Sequence, residues 1–206
     1  LTFAKNDLIS SLFRSWFIDF DPVKAKAQGK LPYGMSEETA ALFPDSFEDS
    51  IIGSIPSGWR ISNFEQVSDF ITDGAHESPP SVKKDGVPMA SVKDMRENRI
   101  LVDNCRLISE DDANRLDRLN CIPQRGDLLI AKDGSILKHI VVFDQPERIV
   151  LLSSIALIRL NESLSPYFAK YYLESPGIRH FFLGGYTGGS AIPRFVLKEF
   201  KKFPVL

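Results

Sequence analysis

Beyond Trp59 the chain carries five short runs rich in Ile, Val and Leu: Ile100 to Val102, Asp127 to Ala131, Ile140 to Phe143, Ile149 to Leu152 and Ile155 to Leu160, bounded by Gly, Asp or Pro. Runs of that length and composition suit strands. Ser109 with Asp112 gives a capping-box-like start to a helix through about Asn120. Ser165 with Pro166 starts another, through about Glu174, and Pro176 opens a third. The elements follow no strict strand-helix alternation and show no internal repeat. That order favours an α+β domain on a curved mixed sheet with peripheral helices over a doubly wound one. With 206 residues, 43% of them hydrophobic, the chain has enough apolar material for a core of its own.

Upstream the pattern differs. Leu8, Leu12, Phe13, Trp16, Phe17 and Phe20 recur at three- and four-residue intervals behind Asn6 and Asp7, which predicts an amphipathic helix over residues 7 to about 20. A helix so short, with large aromatics on one face, needs a second surface, either the rest of this chain or a helix from a partner. From 21 to 59, Pro22, Gly29, Pro32, Gly34, Pro44, Gly53, Pro56 and Gly58 interrupt any regular element, so this stretch is expected to wrap rather than fold. The chain starts at Leu1 inside the helical pattern, which leads us to expect natural sequence upstream.

No apolar run approaches the roughly 18 residues that span a bilayer, and the start lacks a secretory signal pattern, so the expected address is the cytoplasm. Cys105 and Cys121 form neither a metal-ligand spacing nor a disulfide framework and are expected to be inert. The net charge of -2 gives no overall argument for nucleic acid. Its distribution says more: Arg179, His180, Arg194, Lys198, Lys201 and Lys202 face only Glu199 as an acid in the last stretch, which allows a local positive face.

Catalytic chemistry finds little support. Asp19, Asp21 and Lys24, with Asp45, Glu48 and Asp49, invite a metal-dependent nuclease reading, but they fall in a helix end and a Pro/Gly-rich stretch. No rigid strand there holds two carboxylates on one metal. His76, His139 and His180 are far apart, no metal-binding Cys or His motif is present, and no metal or cofactor is predicted. Ser135 lacks the second glycine of a nucleophile elbow. A methyltransferase needs a Gly-rich cofactor turn and an acid- or amide-Pro-Pro-aromatic loop. Neither is visible, since Pro79-Pro80 follows Ser78.

Three loops have a composition suited to binding. Gly184 to Ser190 is glycine-dense, and Tyr186, Thr187, Ser190 and Arg194 supply donors for phosphates or base edges. Thr72 to Ser78 and Lys132 to Ser135, the latter followed by Lys138 and His139, are small, polar and turn-prone. Ordinary connecting turns share this composition. What distinguishes a reading loop is a position fixed by a strand end.

Longer stretches carry a resemblance. Ser15-Trp16-Phe17-Ile18-Asp19-Phe20-Asp21-Pro22-Val23-Lys24-Ala25-Lys26, Leu42 to Ser50 and Gly53 to Trp59 resemble the junction, in type I restriction-modification specificity subunits, between the central conserved helix and the second recognition domain. Ile71 to His76, Gly86 to Met89 with Ser91 to Asp94, Gly126 to Ser135 and Gly189 to Pro193 resemble landmarks of that domain, and Phe200 to Val205 its closing strand. The resemblance covers nearly the whole chain. It implies the end of a spacer helix (1–20), a linker (21–58) and a DNA target recognition domain (59–206) in a subunit without catalytic residues. Such a subunit places methyltransferase subunits and, in the full assembly, translocating nuclease subunits on a bipartite target in double-stranded DNA. A complete subunit has two recognition domains and two long helices; this chain has one domain and a helix stub. The resemblance assigns Leu12, Phe13, Trp16 and Phe17 to a helix pair or methyltransferase contact. The three loops, with Lys93 and the basic segment around Arg194, are expected to converge on one concave DNA-binding face that includes Ser78, Lys132 and Lys138, with lysines at phosphates and Thr72, His76, Ser135, Tyr186, Thr187 or Ser190 at base edges. The alternatives are a small metal nuclease using Asp19, Asp21 and Glu48, and a module that only bridges proteins.

Overall fold

Helix α1 (Thr2–Phe17) realises the first helical pattern and begins ahead of the expected cap. The computed structural model describes residues 2–96, 98–133, 136–185, 187–188 and 194–206, and of 2–6, 187–188 and 194–195 the backbone alone. The chain forms two units, one reaching to Ser62 and taking in Pro204–Leu206, the other Asn63–Phe203.

In the first unit, the stretch expected to wrap without regular elements instead holds α2 (Asp21–Ala27), α3 (Glu37–Ala41) and an antiparallel hairpin of β1 (Phe47–Ser50) and β2 (Gly53–Pro56). Residues that look like breakers act as boundaries. Pro22 sits in the first turn of α2, where a missing N–H is harmless. Gly29 ends that helix at φ 69°, with its N–H donating to the Lys26 carbonyl and that of Lys30 to the Ala25 carbonyl. This left-handed stop satisfies the last carbonyls and suits a residue without Cβ. Ser36 caps α3 by accepting from the Thr39 N–H at 3.2 Å.

The unit's core gathers Val23, Met35, Ala40 and Phe43 with Trp16, Phe17, Phe20, Phe47 and Trp59. The Trp59 ring lies 6.0 Å from those of Phe17, Phe20 and Phe43. Aromatic contacts at this spacing add to the area buried. They also hold Phe20 at φ 54°, a backbone conformation uncommon for a bulky residue.

After the short strand β3 (Ser62–Asn63), the elements run β4 (Ser68–Asp73), β5 (Val87–Ala90), a 3-10 turn (Val92–Asp94), β6 (Met95–Arg96), β7 (Arg99–Ile100) and β8 (Arg106–Ile108). Then come α4 (Glu110–Asp117), β9 (Leu128–Ala131), β10 (Ile140–Val142), β11 (Val150–Leu151) and β12 (Ile155–Leu160). The chain closes with α5 (Pro166–Glu174), α6 (Pro176–Gly185), β13 (Thr187–Gly188), β14 (Arg194–Phe195), α7 (Leu197–Lys201) and β15 (Pro204–Val205). The class is α+β, as expected. Its strands are shared between an antiparallel four-stranded sheet, β10-β9-β12-β4, and a mixed one, β11-β5-β8, in which β11 is parallel to β5.

Strand β12 and helix α5 fall where their patterns put them. Helix α4 starts at the Ser109 cap, which accepts from the Asp112 N–H at 3.1 Å, but stops at Asp117. The run Ile100 to Val102 divides: Ile100 ends β7, and a second 3-10 turn, Val102–Asn104, follows.

Every residue of β9 is buried, as are Ile155 to Ile158, which explains why these strands read as continuous apolar runs without alternation. Met95, Ile100, Leu129, Leu157 and Phe143 share one core, while Val87, Met89, Ile108 and Val150 pack with Ala113 and Leu116 of α4 in another. Phe64, Phe182, Phe200 and Phe203 interlock beside them. Burial, and next Asp94, push the Cys105 thiol up to about 11, and burial raises Cys121 as well. Neither is the low-pKa thiolate that reactivity requires.

Candidate nucleic-acid interface

Strand pairing fixes which loops are neighbours. Asp73 pairs with Ala156, Ala156 with Ile130 and Ile130 with Ile140, all antiparallel. The end of β4, the end of β9 and the starts of β10 and β12 therefore lie at one end of the four-stranded sheet. Segments 74–78, 132–133, 136–139 and 152–154 meet the sheet together there.

The turn at Leu152 to Ser154 ties further pieces to this end. The Ala75 N–H donates to the Leu151 carbonyl at 2.7 Å, and the Ser153 N–H to the Ala75 carbonyl at 3.0 Å. The Lys132 N–H reaches the Ser154 carbonyl at 2.9 Å, while the Ser154 hydroxyl accepts from the Val92 N–H at 3.1 Å. One serine thus holds both the β9–β10 connection and the 3-10 turn that carries Lys93. Nothing in the residue types announced Ser154, although Ser153-Ser154 between two apolar runs is a legible turn signal. Gly74 makes the approach possible, because a Cβ there would lie 2.3 Å from the Leu151 carbonyl oxygen.

Asp73 is the second residue that composition did not single out. Its carboxylate takes His76 Nε2 at 3.0 Å on Oδ1 and Lys132 Nζ at 3.0 Å on Oδ2, so two segments read separately from the sequence share one ion. The Lys132 and Asp73 side chains are only 12% and 14% exposed, whereas His76 is 76% exposed. Lys132 therefore braces the loop from behind, and His76 is presented outward. Thr72 belongs to β4 rather than to the loop, opposite Leu157 and half-buried. Ser78 is exposed, but its hydroxyl accepts from Arg106 Nη2 at 2.8 Å, and the same guanidinium donates to the Pro79 carbonyl, so it helps hold the loop's far end.

Lys93 and Lys138 are exposed. His139 is half-buried, and burial first, then Lys138 and Arg96, hold its imidazole below the ordinary value of 6.5. Arg179 of α6 reaches the Ile136 carbonyl at 3.5 Å, bringing that helix to the β9–β10 connection. Ser135, Tyr186 and Ser190 lie outside the described residues. Thr187 and Arg194 belong to the antiparallel pair β13–β14, with their side chains outside the described set.

In the first unit, Phe13 is buried, and Trp16 and Phe17 pack into the unit's own aromatic core. Leu12 remains 43% exposed and Leu8 60% exposed. The carboxylates of the nuclease alternative are engaged elsewhere: Asp19 with Arg14 at 3.1 Å, Asp21 with Ser15 at 2.8 Å and Glu48 with the Gly58 N–H at 3.1 Å. Among the described residues, no group of three or more His, Cys, Asp or Glu is arranged to hold a metal ion.

No protein-family model matches the chain. Over 35 residues, 17% of the chain, it is 60% identical to the type I restriction enzyme HindI specificity subunit of Haemophilus influenzae, a match spanning 7% of that protein. A solved structure concerned with complex assembly and conformational transition of the type I R-M system superposes on 99% of the chain with a TM-score of 0.50 at 18% identity. The chain shares the fold of this type I R-M system structure. Two further solved chains are the HsdS subunit from Thermoanaerobacter tengcongensis (TM-score 0.47, 17% identity, 99% of the chain covered) and the S subunit from M. genitalium (0.46, 12%, 72%). The chain spans less than half the length of each of these three structures: 45%, 42% and 34% in turn.

Proposed function

We propose that the chain is a non-catalytic DNA-recognition module that reads one half of a bipartite target within a type I restriction-modification specificity subunit. The observation that carries this reading is the gathering of segments 74–78, 91–94, 132–133 and 136–139 at one end of a rigid sheet, with His76, Lys93 and Lys138 exposed. Base reading needs donors held to within a fraction of an ångström, and strand ends provide that rigidity. Thr72, His76, Ser135, Tyr186, Thr187 and Ser190 meet base edges in the major groove, and Lys93, Lys138 and Arg194 meet phosphates. Asp73, Lys132 and Ser78 hold the loops in place.

The proposed partners are double-stranded DNA, methyltransferase subunits and, in the full complex, restriction subunits. Leu8 and Leu12 offer α1 an apolar edge for a helix or methyltransferase contact, backed by Phe13, Trp16 and Phe17. Residues 1–20 correspond in this reading to the end of a spacer helix, 21–58 to a linker and 59–206 to the recognition domain. No described helix is long and apolar enough to cross a membrane.

A randomised-duplex selection on the intact subunit with its methyltransferase partners tests the reading. It is expected to enrich a bipartite motif of which this chain fixes one half. Absence of any enrichment identifies a protein-bridging module instead, and magnesium-dependent cleavage lost on Asp21→Ala identifies a nuclease.

A further inference from the structure

Arg96, which the sequence did not bring forward, joins Lys138 and His139 in a basic cluster at the same end of the fold. β6 and β7 pair as Met95 with Ile100 and Arg96 with Arg99. Met95 and Ile100 are fully buried, so the alternation of a strand turns Arg96 and Arg99 outward, and both are exposed. The hairpin is pinned: Gln145 accepts from the Ile100 N–H at 2.6 Å and donates to its carbonyl at 3.0 Å. Arg96 is fixed in turn, with Nη1 donating to the carbonyls of Lys93 at 2.8 Å and Met95 at 2.7 Å. β7 runs beside β10, whose leading residues are Lys138 and His139. The His139 carbonyl accepts from the Ala131 N–H at 3.0 Å, which anchors this turn to the sheet.

We propose that Arg96 at the end of β6 and Lys138 ahead of β10 grip a backbone phosphate of the duplex as standing cations, with His139 as a third that acquires its charge on binding. This rests on the DNA-reading function above and extends it to Arg96, His139 and a proton linkage, none of them assigned a role so far. Burial first, and then, among the described residues, the charges of Lys138 on its own turn and Arg96 on the hairpin keep the imidazole neutral in the free chain at neutral pH. A phosphate between the three reverses that balance, because an anion favours imidazolium. The bound-state pKa then lies above the free one. The extra affinity is present at low pH and is lost as pH rises through the bound-state value. Because phosphates carry no base information, the patch adds affinity equally to all sequences.

The test measures Kd of the intact subunit with its methyltransferase partners for its selected duplex and for an unrelated duplex of equal length. Salt is varied at fixed pH, and pH between about 5.5 and 8 at fixed salt. Lys138→Gln is expected to reduce the log-log salt slope by about one, and Arg96→Gln with Lys138→Gln by about two, with the ratio between the two duplexes unchanged. Wild-type binding is expected to weaken as pH rises, and His139→Gln to flatten that dependence while leaving His76 and His180 in place. An unchanged slope in the double variant, or a pH profile unaffected by His139→Gln, overturns the patch while DNA reading stands. Failure of the wild-type complex to bind either duplex overturns both.

Discussion

Asp127→Ala lowers the unfolding free energy of the unit Asn63–Phe203 by about 3 kcal/mol, the expected scale for removing one partner of a buried ion pair. The Asp127 side chain is 1% exposed and accepts from Arg159 Nε and Nη2, each at 2.8 Å, and from the Gln124 N–H at 2.7 Å. Arg159, 27% exposed, also lies over the Phe70 ring with Cζ 4.6 Å from its centroid. Around this pair the backbone closes on itself, because the Gly126 N–H donates to the Phe143 carbonyl and the Phe143 N–H to the Asp127 carbonyl. The brace therefore locks β9, β10 and β12 at the end of the sheet away from the proposed reading loops. Truncation leaves a guanidinium without its carboxylate and the Gln124 amide without its acceptor. Urea unfolding followed by circular dichroism reads the loss as a fall in midpoint at constant slope. Asp127→Ala combined with Arg159→Met is expected to recover part of it, since replacing both members of a buried pair costs less than orphaning one.

Gly74→Ala is expected to cost about 3 kcal/mol, at the upper end of overpacking effects. The added methyl would meet Leu151 O at 2.3 Å, Leu151 C at 2.4 Å and Leu152 O at 2.5 Å. These are backbone atoms, so no side chain can rotate away. Relief requires parting the segment at 74–75 from β11, and with it the hydrogen bonds that join the end of β4 to the turn at Ser153 and Ser154. Gly177→Ala is the control, since nothing lies within 4 Å of its added Cβ and it sits in the first turn of α6. Its stability is expected to stay level or rise by up to about 1 kcal/mol, the difference in helix propensity. Equal midpoints for the Gly74 variant and wild type would contradict the close approach.

Local signals were legible where local physics decides. The Ser109 cap, Pro166 at the head of α5 and the apolar run of β12 each carry their own evidence within a few residues. Residues 21–58 misled because Pro and Gly mark helix starts and stops as well as loops, and Pro22 and Gly29 occupy the positions where each favours a helix boundary. The site was legible only in pieces. That His76 and Lys132 share Asp73 depends on β4, β9 and β12 lying side by side, and such pairing leaves no trace in composition. That Arg96 joins Lys138 and His139 escaped notice for a related reason: two-residue strands have no periodicity, and the charges come together only when β7 lies beside β10.

The central claim is that the loops at this end of the sheet read DNA sequence, and repeating the randomised-duplex selection with Thr72→Ala and His76→Ala subunits, each in complex with the methyltransferase, tests it most directly. The prediction is a recovered motif altered or relaxed at one or two positions within one half of the target, the other half being unchanged. Motifs identical to wild type for both variants would contradict it.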